Sequence, residues 1–209
     1  MTKVLTWNVR SWYRDTKRDE RNWKTRASAI RSIIERESPD VILLQEALEP
    51  MTSKCIPSGY FKASGCSISH HIFIRKGFAE VEGHSWHLHY SEARIRTADA
   101  RHFIVASVHS TWKEKANKET CEAIFRLSRN QQYALIAGGD WNNEPSVEYN
   151  ELFPLKIVDT GGQTFRNWEK GTTSNLDFFA MSRGANAVAR LGRNCSFAVS
   201  DHLPVVLDI

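Results

Sequence analysis

The sequence contains no long apolar run and only four cysteines among its 209 residues. No stretch approaches the ~18 consecutive apolar residues that a membrane span requires, and the opening residues, MTKVLTWN, are too polar for a secretory leader. We therefore expect a soluble, cytoplasmic protein that does not associate with membranes. The cysteines show no CxxC spacing, so we expect reduced thiols; a bridge between Cys55 and Cys66 would require export from the cell.

Repeats, low-complexity stretches and a phosphate-binding glycine loop are also missing. Gly161–Gly162 and residues 171–174 form turns without the strand-to-helix context that such a loop needs. The chain is 41% hydrophobic and 25% charged, which excludes disordered and fibrous classes. We expect a single domain over residues 1–209, because sandwich folds of this length commonly have one core.

Positive charge is concentrated near the N-terminus. Residues 10–26 carry seven cations against three acids, a balance of +4 that equals the net charge of the whole chain. Such a run is commonly a solvated loop that leads into a helix. Here Trp12, Tyr13 and Trp23 alternate with the cations, which also suits a phosphate backbone with bases to stack on. Both interpretations stay open.

Hydrophobic spacing predicts many strands and few helices. Apolar residues at helical spacing predict helices from Asn22 to about Arg36 and at 117–129, and a short helix is predicted at 146–152. Short apolar or alternating runs predict strands at 3–8, 41–45, 60–64, 71–75, 78–82, 86–90, 102–108, 133–137, 155–158, 176–181, 187–190 and 203–208. This pattern favours an α+β fold, a four-layer α/β/β/α sandwich of two mostly antiparallel sheets packed face to face with helices outside.

Six of the apolar runs end on polar residues that suit a phosphate or a metal ion. A strand that is apolar along its length buries its body and presents a polar tip at the edge of the sheet. Taken singly, each tip has a simpler explanation, such as a solvated strand end or an Asx turn in the Gly-rich segment GGDWNN. The tips are Asn8, Glu46, His109, the pair Asp140 and Asn142, Asp177, and the pair Asp201 and His202.

Together and in this order, the tips resemble the endonuclease/exonuclease/phosphatase superfamily, which includes DNase I-like nucleases and AP endonucleases. The resemblance extends from TWN, which ends at Asn8, to SDH, which ends at His202. It implies a Mg²⁺ or Mn²⁺ cofactor with Glu46 as the principal ligand. Asp201 would help to bind the metal, and Asn8 would lie beside both the metal and the scissile phosphate.

The same resemblance implies catalytic roles for the remaining tips. Asp140 would orient or deprotonate the attacking water, while Asn142 and His109 would hold oxygens of the phosphate. His202 would act as a base or stabilise the pentacovalent transition state, and Asp177 would buttress His202. Phosphodiester hydrolysis needs this combination of charge neutralisation and a positioned water.

Substrate contacts are expected from three segments. The segment TFRNWEKGTTSNLD resembles the variable loop with which many family members contact substrate, although an ordinary surface loop explains it equally well. The basic segment beyond Asn8 supplies further candidates, and an arginine before His109 is expected to reach the phosphate. The candidate contacts are Arg10, Trp12, Arg14, Arg94 or Arg96, Phe165, Arg166 and Trp168.

These observations favour a nuclease that hydrolyses DNA or RNA, with nucleic acid as its partner. Only about sixty residues separate Glu46 from His109, so long recognition insertions are absent there. The alternatives are a phosphatase or phosphodiesterase on a small or lipid phosphate, and a non-catalytic module that binds nucleic acid. A zinc site at His84, His87 and His89 is disfavoured, because no acid or cysteine lies at ligand spacing.

Overall fold

The computed structural model describes residues 1–11, 20–48, 51–65, 70–145, 155–182, 184 and 186–209. Its helices are α1 (Glu20–Glu37), α2 (Met51–Cys55) and α3 (Glu114–Ser128). Its strands are β1 (Lys3–Asn8), β2 (Val41–Gln45), β3 (Tyr60–Gly65), β4 (His70–Arg75), β5 (Ala79–Trp86), β6 (Tyr90–Thr97), β7 (His102–His109), β8 (Ala134–Asp140), β9 (Lys156–Val158), β10 (Phe165–Arg166), β11 (Thr173–Ser174), β12 (Asp177–Met181), β13 (Val188–Leu191) and β14 (Val205–Asp208).

The strands form two six-stranded sheets. The first sheet has the order β13-β14-β1-β2-β4-β3 and the second has the order β5-β6-β7-β8-β12-β9, while β10 and β11 form a separate hairpin. Each sheet is antiparallel except for one parallel pair, β1 with β2 and β7 with β8. The second sheet is built from one stretch of chain, residues 79–181, and the first sheet from the residues on either side of it.

Alternation along the strands explains how the layers pack. Val4 and Leu43 of the first sheet meet Val105 and Phe179 of the second in one buried cluster between the sheets. The intervening residues face outward, where α1 covers the first sheet and α3 covers the second. The predicted four-layer sandwich is confirmed.

The helices follow their apolar spacing. In α1, Ala27, Ile30 and Ile34 are fully buried, and the helix stops where Ser38 adopts a positive φ of 47° before Pro39. The helices predicted from Asn22 and from residue 117 begin earlier than expected, at Glu20 and Glu114. Helix α2 was not predicted, because five residues show too little periodicity to recognise. The helix predicted at 146–152 lies outside the described residues. Within the described part of the chain, no helix has the length and apolar character to cross a membrane.

The strand predicted at 86–90 is wrong. Trp86 ends β5, the chain turns through residues 87–89, and Tyr90 begins β6. Apolar alternation suggested a half-buried strand, yet Leu88 projects into solvent with 83% of its surface exposed. The sequence did not predict the full strand β6, because its inner face has only two buried hydrophobic residues, Ala93 and Ile95, and charged residues stand beside them.

Candidate active site

Three polar side chains lie side by side at one edge of the second sheet. Asp140 ends β8 and pairs with His109, which ends β7, and with Asp177, which begins β12. Each lies an even number of residues from a core residue on its own strand: Val105, Ile136 or Phe179. Because side chains alternate along a strand, all three polar side chains point into the space between the sheets. The apolar bodies of the strands therefore fix these side chains on a rigid support.

Gly138 and Gly139 permit this arrangement by allowing close approach. A Cβ on Gly139 would lie 1.9 Å from the carbonyl oxygen of Val108 in the neighbouring strand, and a Cβ on Gly138 would lie 2.4 Å from the Phe179 ring. Neither glycine has a positive φ. These two glycines are therefore needed for close packing against the neighbouring strands and not for a turn.

Asn8 links the two sheets at this edge. Its Nδ2 donates hydrogen bonds to Oε1 of Glu46 at 3.2 Å and to Oδ2 of Asp140 at 3.0 Å, and its Oδ1 accepts one from the backbone N–H of Arg10. Glu46 follows β2 with a positive φ of 55°, and its Oε2 accepts the backbone N–H of Ser11 at 3.1 Å. Two buried carboxylates are thereby held on either side of one amide.

His202 and Asp177 form a buried pair across the sheets. Nδ1 of His202 lies 2.8 Å from Oδ2 of Asp177, and its Nε2 lies 3.6 Å from Oδ2 of Asp140. Burial lowers the pKa of His202, but the carboxylates of Asp177, Asp140 and Asp201 outweigh it and raise that pKa to about 10. These carboxylates thus favour the protonated form of His202, in which both ring nitrogens are donors.

The other predicted tips complete the cluster. Nε2 of His109 lies 3.7 Å from Oε1 of Glu46 and 3.8 Å from Oδ2 of Asp140. Asn142 has a positive φ of 51°; its backbone N–H donates to Oδ1 of Asp140, and its Nδ2 donates to the carbonyl of Ser110 at 2.9 Å. Thus the structure brings every predicted tip of the second sheet to one place.

The donor set fits a hard divalent cation. Glu46 and Asp140 offer carboxylate oxygens, the ligand type that Mg²⁺ and Mn²⁺ prefer, whereas Asn8 turns its Nδ2 toward both carboxylates and its Oδ1 toward the N–H of Arg10. Asp140, Asp177 and His202 also have ligand atoms within 4.8 Å of one another. In that triplet, however, Nδ1 of His202 already bonds to Asp177. The Glu46 side of the cluster is therefore the better cation site.

A cationic and aromatic flank lies beside Asp201. The guanidinium of Arg10 stacks over the Trp168 ring at 4.3 Å, and its Nε lies 3.7 Å from Oδ2 of Asp201. The Phe165 ring lies 4.8 Å from the His202 ring, and the backbone N–H of Arg166 donates to the carbonyl of Asp201 at 2.8 Å. The loop that the sequence singled out is thus docked against the cluster.

Of the predicted contacts, two are not brought to the cluster and two lie outside the described residues. Arg96 pairs with Glu80 and Glu82 and lies opposite His102, at the end of β7 remote from His109. Arg94 lies opposite Ile104, five residues before His109, with a nitrogen 3.8 Å from Glu92. Both arginines occupy the outer face of β6, because alternation places Ala93 and Ile95 inward. The other two contacts, Trp12 and Arg14, lie outside the described residues.

The cluster lies in a cleft of about 390 Å³. Part of the lining of this cleft was not predicted from the sequence, because those residues lie in the loops between strands and not at apolar strand ends. The signal that was available is the segment STW, directly after His109. The missed lining residues are Leu88, His89, Ser110, Thr111 and Trp112.

Comparisons with known proteins identify the family and agree with the fold. A family model described as Endonuclease/Exonuclease/phosphatase family matches residues 5–202. A mannosyl-6-phosphatase from Bacteroides thetaiotaomicron VPI-5482 superposes with a TM-score of 0.77 at 18% identity, covering 100% of this chain and 99% of that one. A humanized D. rerio TDP2 gives a TM-score of 0.73 at 16% identity, with 100% and 99% covered. A search of curated proteins gives no match.

Proposed function

Because the chain belongs to the endonuclease/exonuclease/phosphatase family, as its sequence motifs predicted, we propose that it is a divalent-metal-dependent phosphodiesterase that hydrolyses DNA or RNA. The observation that carries this proposal is the convergence at one cleft of two cation-competent carboxylates and a buried histidine paired with Asp177. Asn8 joins Glu46 to Asp140, and His202 lies 3.6 Å from Asp140. Burying these groups beside an open cleft costs free energy, and a catalytic role would explain why the chain bears that cost.

Glu46 and the carboxylate of Asp201 would hold the metal in this proposal, with Asn8 fixing the Glu46 carboxylate through its Nδ2. When bound, the ion would neutralise charge on the phosphate and polarise its oxygens. Asp201 is already oriented by the Ser200 hydroxyl, which lies 3.3 Å from its Oδ1. Mg²⁺ and Mn²⁺ both fit these oxygen donors.

Asp140 positions the attacking water. Its Oδ1 is fixed by the N–H of Asn142 and its Oδ2 by Nδ2 of Asn8, so the carboxylate cannot rotate away from the cleft. The water forms a new bond to phosphorus as the ester bond on the opposite side breaks. Asp140 accepts the proton that the water loses.

His202 and His109 stabilise the charge that develops on the phosphoryl oxygens. Since Asp177 binds Nδ1 of His202, the Nε2–H of this imidazolium points toward Asp140 and the cleft. Because the surrounding carboxylates raise the pKa of His202, we assign it the role of hydrogen-bond donor to the transition state rather than the role of base. Asn142 and His109 complete the phosphate contacts in this proposal.

Nucleic acid is the proposed substrate because cationic and aromatic groups flank the cleft. Arg10 stacks on Trp168 beside Asp201, and the basic segment of residues 10–26 follows directly. A small sugar phosphate is the second candidate, since one structural neighbour is a mannosyl-6-phosphatase. Another neighbour is a D. rerio TDP2 complexed with a single-strand DNA product, at 14% identity.

The deciding experiment is a panel digestion with Mg²⁺. Labelled single- and double-stranded DNA, RNA and abasic DNA would be compared with mannose 6-phosphate and inositol phosphates, alongside Asp140→Asn and His202→Ala. We expect cleavage of nucleic acid by the wild type and loss of cleavage in both variants with folding unchanged. Intact DNA and RNA would contradict the nuclease proposal, and release of phosphate only from the small substrates would establish the second candidate.

A separate comparison distinguishes these substrates by electrostatics. Gln substitution of Arg14, Lys17, Arg18 and Arg21 removes four cations from the basic segment. Nuclease activity should fall and its dependence on salt should weaken, because fewer phosphate contacts release counterions. Turnover of a small phosphate should barely change. A non-catalytic binding module, the third possibility, would bind nucleic acid but cleave none of these substrates.

A further inference from the structure

Two large apolar side chains are exposed at the mouth of the cleft. Trp112, which follows β7, has 66% of its surface exposed, and Leu88 lies in the turn between β5 and β6. Both line the cleft that contains Glu46, Asp140 and His202. The backbone N–H of His109 donates to the carbonyl of His89 at 2.8 Å, which ties the Leu88 turn to the end of β7. We call Leu88 and Trp112 the apolar wall.

The apolar wall and the Trp168 flank lie on different sides of the catalytic cluster. In the second sheet, β6 and β7 precede β8, whereas β12 follows it. The wall extends from the β6 and β7 side, and Phe165 packs by His202, which binds Asp177 of β12. A substrate phosphate at the cluster therefore has an aromatic surface on either side.

The two aromatic surfaces differ in what already occupies them. Arg10 stacks on Trp168 at 4.3 Å. Across the described part of the chain, no aromatic ring and no cation stacks on Trp112. Its neighbours Lys113 and Lys115 are exposed. An open indole with cations beside it is the combination with which proteins bind single-stranded nucleic acid, by stacking bases and holding phosphates.

We propose that the apolar wall binds the nucleobase next to the scissile phosphate of a single-stranded nucleic acid, with the base stacked on Trp112 and in contact with Leu88. This inference rests on the proposed nuclease function and narrows its substrate to strands with unstacked bases. The cleft volume of about 390 Å³ is near the lower end of ligand pockets, which suits one splayed nucleotide. Duplex DNA keeps its bases inside the stack, away from such a wall.

The test separates base binding from phosphate binding. Fluorescein-labelled (dT)8 and an abasic octamer with the same number of phosphates would be titrated into the protein, and affinity read by fluorescence anisotropy. All proteins would carry Asp140→Asn to keep the probes intact. The variants are Trp112→Ala, Trp112→Phe and, as a matched control, Trp86→Ala, because Trp86 is 64% exposed but on β5 outside the cleft lining.

We expect Trp112→Ala to weaken (dT)8 binding about 5- to 100-fold, the range of one base–aromatic stack. Binding of the abasic octamer should stay within about twofold, Trp112→Phe should retain most of the affinity, and Trp86→Ala should behave like its parent. Circular dichroism checks that each variant folds.

The base site would be overturned if Trp112→Ala weakened binding of both probes equally or of neither. It would also be overturned if Trp86→Ala lost as much affinity as Trp112→Ala, or if the parent did not bind (dT)8. Failure of the proposed function would be recognised differently. Wild-type protein would then leave oligonucleotides uncut in Mg²⁺, while the dependence of (dT)8 binding on Trp112 persisted.

Discussion

Because of Glu37 at the end of α1, the free energy of unfolding should fall steeply as the pH is lowered. Its fully buried carboxylate accepts a hydrogen bond from Nη2 of Arg190 at 2.7 Å and one from the backbone N–H of Arg193 at 2.6 Å. Burial raises the pKa of Glu37, but these bonds outweigh it and lower that pKa from 4.5 to about 2. One carboxylate thus ties α1 to the end of the first sheet.

The magnitude follows from linkage between protonation and folding. A carboxylate with this lowered pKa contributes about 3 kcal/mol to the free energy of unfolding at neutral pH. The contribution is present above pH 4.5, the pKa in the unfolded chain, and is lost as pH falls toward 2. By pH 3, about 2 kcal/mol should already be gone.

Glu37→Gln removes this titration while keeping the shape of the side chain. Urea unfolding would be followed by tryptophan fluorescence, for which the buried Trp7 and Trp141 are suitable probes. Between pH 7 and pH 3, the wild type should lose about 2 kcal/mol more stability than Glu37→Gln. The matched control is Glu35→Gln on the same helix, whose exposed pair with Arg31 is worth at most about 0.5 kcal/mol.

Parallel pH curves for the wild type and Glu37→Gln would refute this reasoning. Activity provides a second check, because Glu37 lies by Lys3 at the start of β1, whereas Asn8 ends that strand. Hydrolysis per folded molecule should therefore be the same in Glu37→Gln and the wild type. A loss of activity at full folding would show that the ion pair does more than stabilise the fold.

Three further outcomes are expected. Asp177→Asn should lower kcat about 10²- to 10⁴-fold with little change in KM, because His202 loses its charged partner; steady-state kinetics would show whether the loss falls on KM instead. Excess EDTA should abolish hydrolysis and added Mg²⁺ restore it, with Glu46→Gln needing at least ~10-fold more Mg²⁺ for half-maximal rate; activity that persists in chelator would exclude the metal role. Gly139→Ala should cost about 1–3 kcal/mol or more, because the added Cβ meets the Val108 carbonyl; an unchanged urea midpoint would contradict this.

The sequence predicted the strand ends of the site because alternation is local. The apolar runs of β7 and β8, which are buried at consecutive positions, predict strands that end on His109 and Asp140, and the geometry of a strand then sets the face on which each side chain lies. The order of the strand ends along the chain then indicated the family, and the match of the family model to residues 5–202 confirms this resemblance.

Distances between remote residues could not be predicted in the same way. That Nδ2 of Asn8 bridges two carboxylates depends on the packing of one sheet on the other. The apolar wall was missed for a related reason, since Leu88 and Trp112 lie in connections that have no periodicity. Arg96 was assigned to the phosphate from its position in the chain, but its strand runs away from the cluster.

The chain path of the two sheets has a consequence during synthesis. Residues 79–181 form the whole second sheet, but the first sheet needs β14, which pairs with β1 at the other end of the chain. His202, the partner of Asp177, lies three residues before β14. A chain still emerging from the ribosome therefore has its carboxylates but no assembled centre. The proposed centre would therefore be completed only when β14 has paired with β1.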